Sequence, residues 1–247
     1  MTSKAPSMGA AHTLEELRTA FLDARCQSIR EDNGPVQLAP GPKVVVHLYS
    51  ATETWPGTSQ RDVQSVAPQL VPLMDDMEGA GSRMSFDGRL WFQSRGSLAT
   101  STTLLMHTGM VEAVKVLVHP DAPEDFRGIS LLDAESSVVQ FASQAVNGGL
   151  VQFTAGFPLL ARVTLVETAN LPADEKGSST PSHRHRVPVR QTRPLLVLPE
   201  VRIENDRKDV SSILPGALQR MWHAWGYAGS PTYRELNDGL WARKHRP

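Results

Sequence analysis

Apolar positions along this chain repeat with two periods, and the switch between them marks out its elements. Leu14, Leu17, Phe21 and Ala24 recur at helical spacing behind Thr13, and Glu16 completes a capping box with Thr13. Asn33-Gly34-Pro35 stops that helix, and the proline-rich residues 35–42 read as an extended connector. In KVVVHLY, Lys43 to Tyr49, alternate residues point to opposite faces. Val44, Val46 and Leu48 line one face, and Val45, His47 and Tyr49 the other. Both faces are largely apolar, which predicts a central strand and makes His47 a half-buried, hydrogen-bonded core histidine.

Residues 50–82 are weakly patterned. Val63, Val66, Leu70 and Leu73 allow one short helix, which Pro68 and Pro72 would break or kink. From Met84 to Val118 the turn signals Asp87-Gly88 and Thr108-Gly109 predict an antiparallel meander, with SLATS at 97–101 turning the chain once more. Ser130 and Asp133 cap a second helix whose buried face is Leu131, Ala134, Val138, Phe141, Ala142 and Ala145, and Gly148-Gly149 ends it. Leu159 to Val166 and Leu195 to Ile203 are strand-like, and Pro199 marks the latter as an edge or a bulge. A third helix carries Val210, Ile213, Leu214, Leu218, Met221, Trp222 and Trp225 on one stripe. Pro215 bends it or starts its main body, and Gly226 ends it.

Short turns between neighbouring strands predict an α+β fold: a mostly antiparallel sheet with helices over 13–31, 130–147 and 210–226 packed on it. The expected organisation is a flexible tail at 1–12, a single domain at 13–241 and a basic tail at 242–247. With 247 residues, 40% of them hydrophobic, the chain has enough apolar surface for a proper core. Its net charge of -1 argues against the whole chain being drawn to nucleic acid or a membrane surface. One cysteine rules out an intrachain disulfide framework and a cysteine-built zinc site, so Cys26 reads as a small core residue. No apolar run approaches the ~20 residues of a membrane span, and the small, polar start lacks a signal peptide's apolar stretch. A cytoplasmic protein with no membrane contact is expected.

Candidate chemistry is sparse. There is no phosphate-cradling G-x-x-x-x-G-K-[ST], no dinucleotide G-x-G-x-x-G, no H-E-x-x-H and no G-x-S-x-G. Asp75, Asp76 and Glu78 are read as a solvated loop, and His183-x-His185 lacks further ligands and is flanked by arginines that oppose a cation. No metal and no cofactor are expected. The irregular segment 169–193 gathers Arg184, Arg186, Arg190 and Arg193, with no acidic residue after Glu175. Arginines in a loop can grip phosphates, so these four form the nucleic-acid-binding alternative. The aromatic side chains Trp222, Trp225, Tyr227, Tyr233 and Trp241 either pack on the sheet or form a partner-facing patch. An enzymatic reading would need His47, His107 or Glu112 to converge in a cleft.

The C-terminal pattern carries a resemblance. Arg193, Pro194, Leu198, Pro199, Glu200 and Val201 are followed by Trp222, Trp225, Gly226 and Tyr227, then Ser230, Pro231, Tyr233 and Gly239 to Trp241. This order resembles the C-terminal region of bacterial ATP-binding transcriptional-regulator proteins that carry an N-terminal Schlafen/AlbA-type domain. Looser similarity covers Phe21 to Arg30, the VVVHLY strand, FDGRLW at 86–91 and HTGMVEAV at 107–114. These 247 residues hold no counterpart of the Schlafen/AlbA domain itself, on which that family's ATP and nucleic-acid assignments rest. The resemblance therefore implies a non-enzymatic regulatory or protein-interaction module, acting on a protein partner or on a second copy of itself.

Overall fold

The computed structural model describes residues 13–52, 62–67, 71–72, 74, 80–117, 128–148, 150–153, 156–174, 191–204, 210–236 and 241–243. Its centre is strand β1 (Lys43–Ser50), buried at every position. β1 pairs antiparallel on one side with β5 (Val111–Val116) and on the other with β7 (Leu159–Val166). Beyond β5 lie β4 (Leu98–Met106), β3 (Gly88–Arg95) and the edge strand β2 (Ala80–Met84), each antiparallel to its neighbour. Beyond β7 the far edge is made by two short strands, β9 (Leu195–Val197) and β10 (Val201–Ile203). The result is an eight-stranded, antiparallel sheet with helices packed against it, the expected α+β class.

Pro199 explains the split edge. It has no N–H to give a ladder, and the pairing slips by one residue between Thr164↔Val197 and Ala161↔Val201. Leu198 still donates its N–H to the Val163 carbonyl at 2.9 Å and buries its side chain.

The alternation in β1 sorts the helices. Val44, Val46 and Leu48 face α2 (Leu131–Asn147) and α3 (Val210–Ala224), which pack together over one side of the sheet. Phe141, Leu214, Leu218 and Met221 are fully buried there. Val45 and Tyr49 face the other side, against the Leu22, Cys26 and Ile29 stripe of α1 (Leu14–Arg30). The Thr13–Glu16 capping box forms reciprocally, at 2.7 and 3.2 Å. The third helix runs through Pro215 without ending.

Three expectations change in detail. Leu98 to Ser101 of SLATS lie within strand β4, and the turn falls at Gly96-Ser97, with a left-handed φ of 62° at Gly96. Ser and Thr are tolerated in a strand, whereas Gly supplies the turn conformation. Val63 and Val66 are buried in the α2–α3 side of the core without forming a helix, and Leu70 and Leu73 lie outside the described residues. The first hairpin closes at Ser85–Gly88, where Ser85 N–H donates to the Gly88 carbonyl at 2.7 Å. Gly88 is required: a Cβ there would stand 2.1 Å from the Leu105 carbonyl oxygen.

Among the described residues no helix is long and apolar enough to cross a membrane. The small strands β6 (Ile129–Ser130) and β8 (Ala173–Asp174) pair in parallel. β11 (Tyr233–Glu235) and β12 (Trp241–Arg243) form a hairpin against α3.

Candidate functional site

The α1 side of the sheet is not purely apolar. His47 on β1 stands opposite Glu112 on β5 and opposite Arg162 on β7, so the ladder register sets three ionisable side chains in one row. Helix α1 lies over that row and contributes Asp23 and Arg25. Arg25 donates Nε–H to Glu112 Oε2 at 3.0 Å and Nη2–H to Oε1 at 2.7 Å, and reaches Asp87 Oδ2 with Nη1 at 3.1 Å. His47 Nε2 is 3.0 Å from Glu112 Oε2, and Arg162 pairs with Asp23. One turn before Leu22 on α1, the Arg18 guanidinium lies 5.3 Å from the centre of the Tyr49 ring. The Tyr49 hydroxyl donates to Glu200 Oε1 at 2.6 Å.

Burial sets the electrostatics of this row. Desolvation alone would raise the Glu112 pKa. The hydrogen bonds and charges of Arg25 and His47 overcome it and hold the carboxyl at about 2. An ionised Glu112 accepts, so His47 Nε2 carries a proton towards it. His47 Nδ1 and Arg162 Nε are buried and have no hydrogen-bond partner among the described residues. Burial pushes the Tyr49 phenol up, and Glu200 adds to the shift, so the hydroxyl remains a donor.

His47 and Glu112 thus do converge, as an enzymatic reading requires. They converge where solvent does not reach: His47 is 0% exposed and Glu112 3%. His107 stands apart in the β4–β5 turn, half-buried, with its backbone N–H on the Asp87 carbonyl at 3.0 Å. A substrate would have to displace α1 and break its ion pairs to touch the dyad. Among the described residues no three His, Cys, Asp or Glu side chains are grouped as metal ligands would be.

Of the two alternatives for the aromatic residues, Trp222 and Trp225 take packing on the sheet. Trp222 and Trp225 are buried, because α3 turns its apolar stripe onto α2 and the sheet. Trp222 Nε1 donates to Glu135 Oε2 at 2.6 Å, and Trp225 Nε1 to the Leu171 carbonyl at 3.1 Å. Neither ring is open to a partner. Tyr227 meets Trp222 edge-on at 5.6 Å. Trp241 packs on Gly216 of α3, its Nε1 3.2 Å from where a Cβ would stand. Tyr233 pairs with Arg243 in the β11–β12 hairpin. The Ser-Pro-x-Tyr motif also has an internal role. Ser230 Oγ donates to buried Glu135 at 2.8 Å and accepts from the backbone N–H groups of Thr232 and Tyr233.

Of the candidate nucleic-acid residues, Arg184, Arg186 and Arg190 lie outside the described residues, as do His183, His185, Asp75, Asp76 and Glu78. Arg193 is exposed, and its carbonyl accepts from the Thr168 hydroxyl at 2.7 Å.

A different residue stands out. Phe86, at the tip of the β2–β3 hairpin, is 99% exposed, and Met84 beside it is 44% exposed. The sequence carried a signal for it: a phenylalanine held between Ser85 and Asp87-Gly88 sits in a turn, with no periodic face to bury it. Asp87 ties the hairpin tip to α1 through Arg25.

No known protein family, no curated protein and no solved structure matches the chain.

Proposed function

We propose that this chain is a non-enzymatic protein-interaction module of regulatory type, and that it meets its partner with the tip of the β2–β3 hairpin. The observation that carries the reading is Phe86. Burying a phenylalanine is worth about 1.5–3 kcal/mol, and here nearly all of that ring stays in water. Aromatic side chains are common anchors of interfaces, and Met84 extends the apolar surface along the same hairpin. Catalysis fits the site poorly, because the histidine–carboxylate pair is closed beneath α1 and held in ion pairs. The resemblance of 193–241 to the C-terminal region of Schlafen/AlbA-type proteins points the same way, since that region lies outside the domain credited with ATP and nucleic-acid binding.

The test is photo-crosslinking in the native cell from a crosslinking amino acid at Met84, with Phe86 intact or changed to Ser. The expected result is a discrete protein adduct that survives nuclease and vanishes in Phe86→Ser, whose melting temperature stays unchanged. No adduct, an adduct indifferent to Phe86→Ser, or an adduct that nuclease removes would overturn the reading. The last result would favour nucleic acid.

A further inference from the structure

The two edges of the sheet differ in how they meet other chains. The β9–β10 edge is interrupted by Pro199 and a one-residue slip, a common defence against strand addition. Strand β2 has neither proline nor bulge, and it pairs with β3 in unbroken register from Ala80↔Gln93 to Met84↔Arg89. Among the described residues no strand pairs with its outer side. Its N–H and C=O groups on that side form a ready backbone template.

The surroundings of β2 specify a charge. Gly81 has no side chain, and the Phe92 ring occupies its place: a Cβ on Gly81 would stand 2.7 Å from that ring. Arg83 is then the β2 side chain that stands over the same face, opposite Leu90. It lines a groove of about 290 Å³ with Val36, Phe92, Ser94 and Ser97. Arg83 is exposed and makes no ion pair or hydrogen bond among the described residues. The two strands and their turn carry Arg83, Arg89 and Arg95 against one acid, Asp87, which Arg25 already pairs. Arg89 is held by the Gln64 and Val66 carbonyls and by the Trp91 ring, none of which carries a negative charge.

We infer that β2 accepts an extended acidic segment of a partner protein as an added strand, with a carboxylate of that segment on Arg83 beside the Phe92 ring. Strand addition draws affinity from the backbone ladder and specificity from alternate side chains. A carboxylate on the Arg83 guanidinium would make a charge-assisted pair that this edge does not have among the described residues. Nucleic acid would meet the arginines but leave the alternating N–H and C=O groups of β2 unanswered. A second copy pairing through β2 would bring two unpaired Arg83 side chains to one face, a like-charge contact that disfavours self-association here. The inference rests on the interaction-module reading and names its partner's chemistry.

The experiment is selection of a displayed random 12-residue peptide library on the full chain, followed by amide NMR titration with the enriched peptides. The expected pool carries Asp or Glu at alternate positions among β-branched residues and moves the amides of residues 80–84. Arg83→Glu should weaken these peptides by about tenfold or more, the loss of one charge-assisted contact, and shift selection towards lysine. Arg83→Lys should keep part of the affinity. Absence of enrichment, a neutral or basic pool, amide changes outside 80–84, or binding indifferent to Arg83→Glu would each overturn the inference. If the Phe86-dependent adduct persists while acidic selection fails, only the strand-addition inference falls. If both fail, the interaction module falls with it.

Discussion

Arg25 and Glu112, 87 residues apart in sequence, are joined by two parallel hydrogen bonds that fasten α1 to β5. Both partners are largely removed from water, so the pair is costly to break from one side. Arg25→Met leaves Glu112 charged beneath the helix with only His47 facing it. Urea unfolding should show a loss of about 3–5 kcal/mol. Adding Glu112→Leu removes the stranded charge and should recover most of that loss. A double variant no more stable than the single one would contradict this account.

Stability should fall in acid through the same carboxyl. The Glu112 pKa lies at about 2 in the folded chain against an ordinary 4.5. A depressed folded pKa means that the contribution is complete above about 4.5 and is lost as pH falls towards 2. The full span corresponds to about 3 kcal/mol. Unfolding free energies between pH 5.5 and 2.5 should decline less steeply in Glu112→Gln than in the natural chain. Parallel declines would show that Glu112 is not a source of the acid sensitivity.

Cys26 should be inert while the chain is folded. Burial pushes its thiol up to about 11, which leaves roughly one molecule in a thousand as thiolate at pH 8. Its side chain is 1% exposed. Thiol reagents should label the native protein only at the rate of opening, and completely once urea unfolds it. Rapid labelling in native buffer would show that Cys26 is not enclosed between α1 and the sheet.

Ser230→Ala should loosen the segment after α3. It removes a donor to buried Glu135 and the acceptor for two backbone N–H groups. A cost of about 1–3 kcal/mol is expected, with faster hydrogen exchange at Thr232 and Tyr233. Exchange unchanged at those two amides would show that Ser230 does not organise the turn.

The main chain of this fold was legible because its signals are local. Periodicity and caps placed all three helices to within about two residues at each end. In α1, however, the buried stripe is Leu22, Cys26 and Ile29, while Leu14 and Leu17 of the expected stripe are exposed. Two-faced apolarity put Lys43 to Tyr49 in the middle of the sheet, and Pro199 marked the edge. The polar row under α1 was not legible, because it is made by register. Nothing local tells that His47 will stand between Glu112 and Arg162, or that Arg25 will reach β5. The aromatic cluster left two readings open for a related reason. Trp222 and Trp225 lie on the helical stripe, which fixes their face but not what covers it, and Glu135 supplies the buried acceptor from a distant helix. Arg83 gave no signal at all, since an arginine at a sheet edge looks like any other until its neighbours are known.

The position of β1 sets an order on synthesis. Its ladder partners begin at Val111 and Leu159, so this strand leaves the ribosome well before either edge can be closed. At about 5–20 residues per second, the wait for β5 alone is roughly 3–12 s. Throughout that interval VVVHLY shows apolar side chains on both faces and open hydrogen-bonding edges. Until β5 and β7 arrive, the strand's open edges and apolar faces are exposed to pairing with other chains.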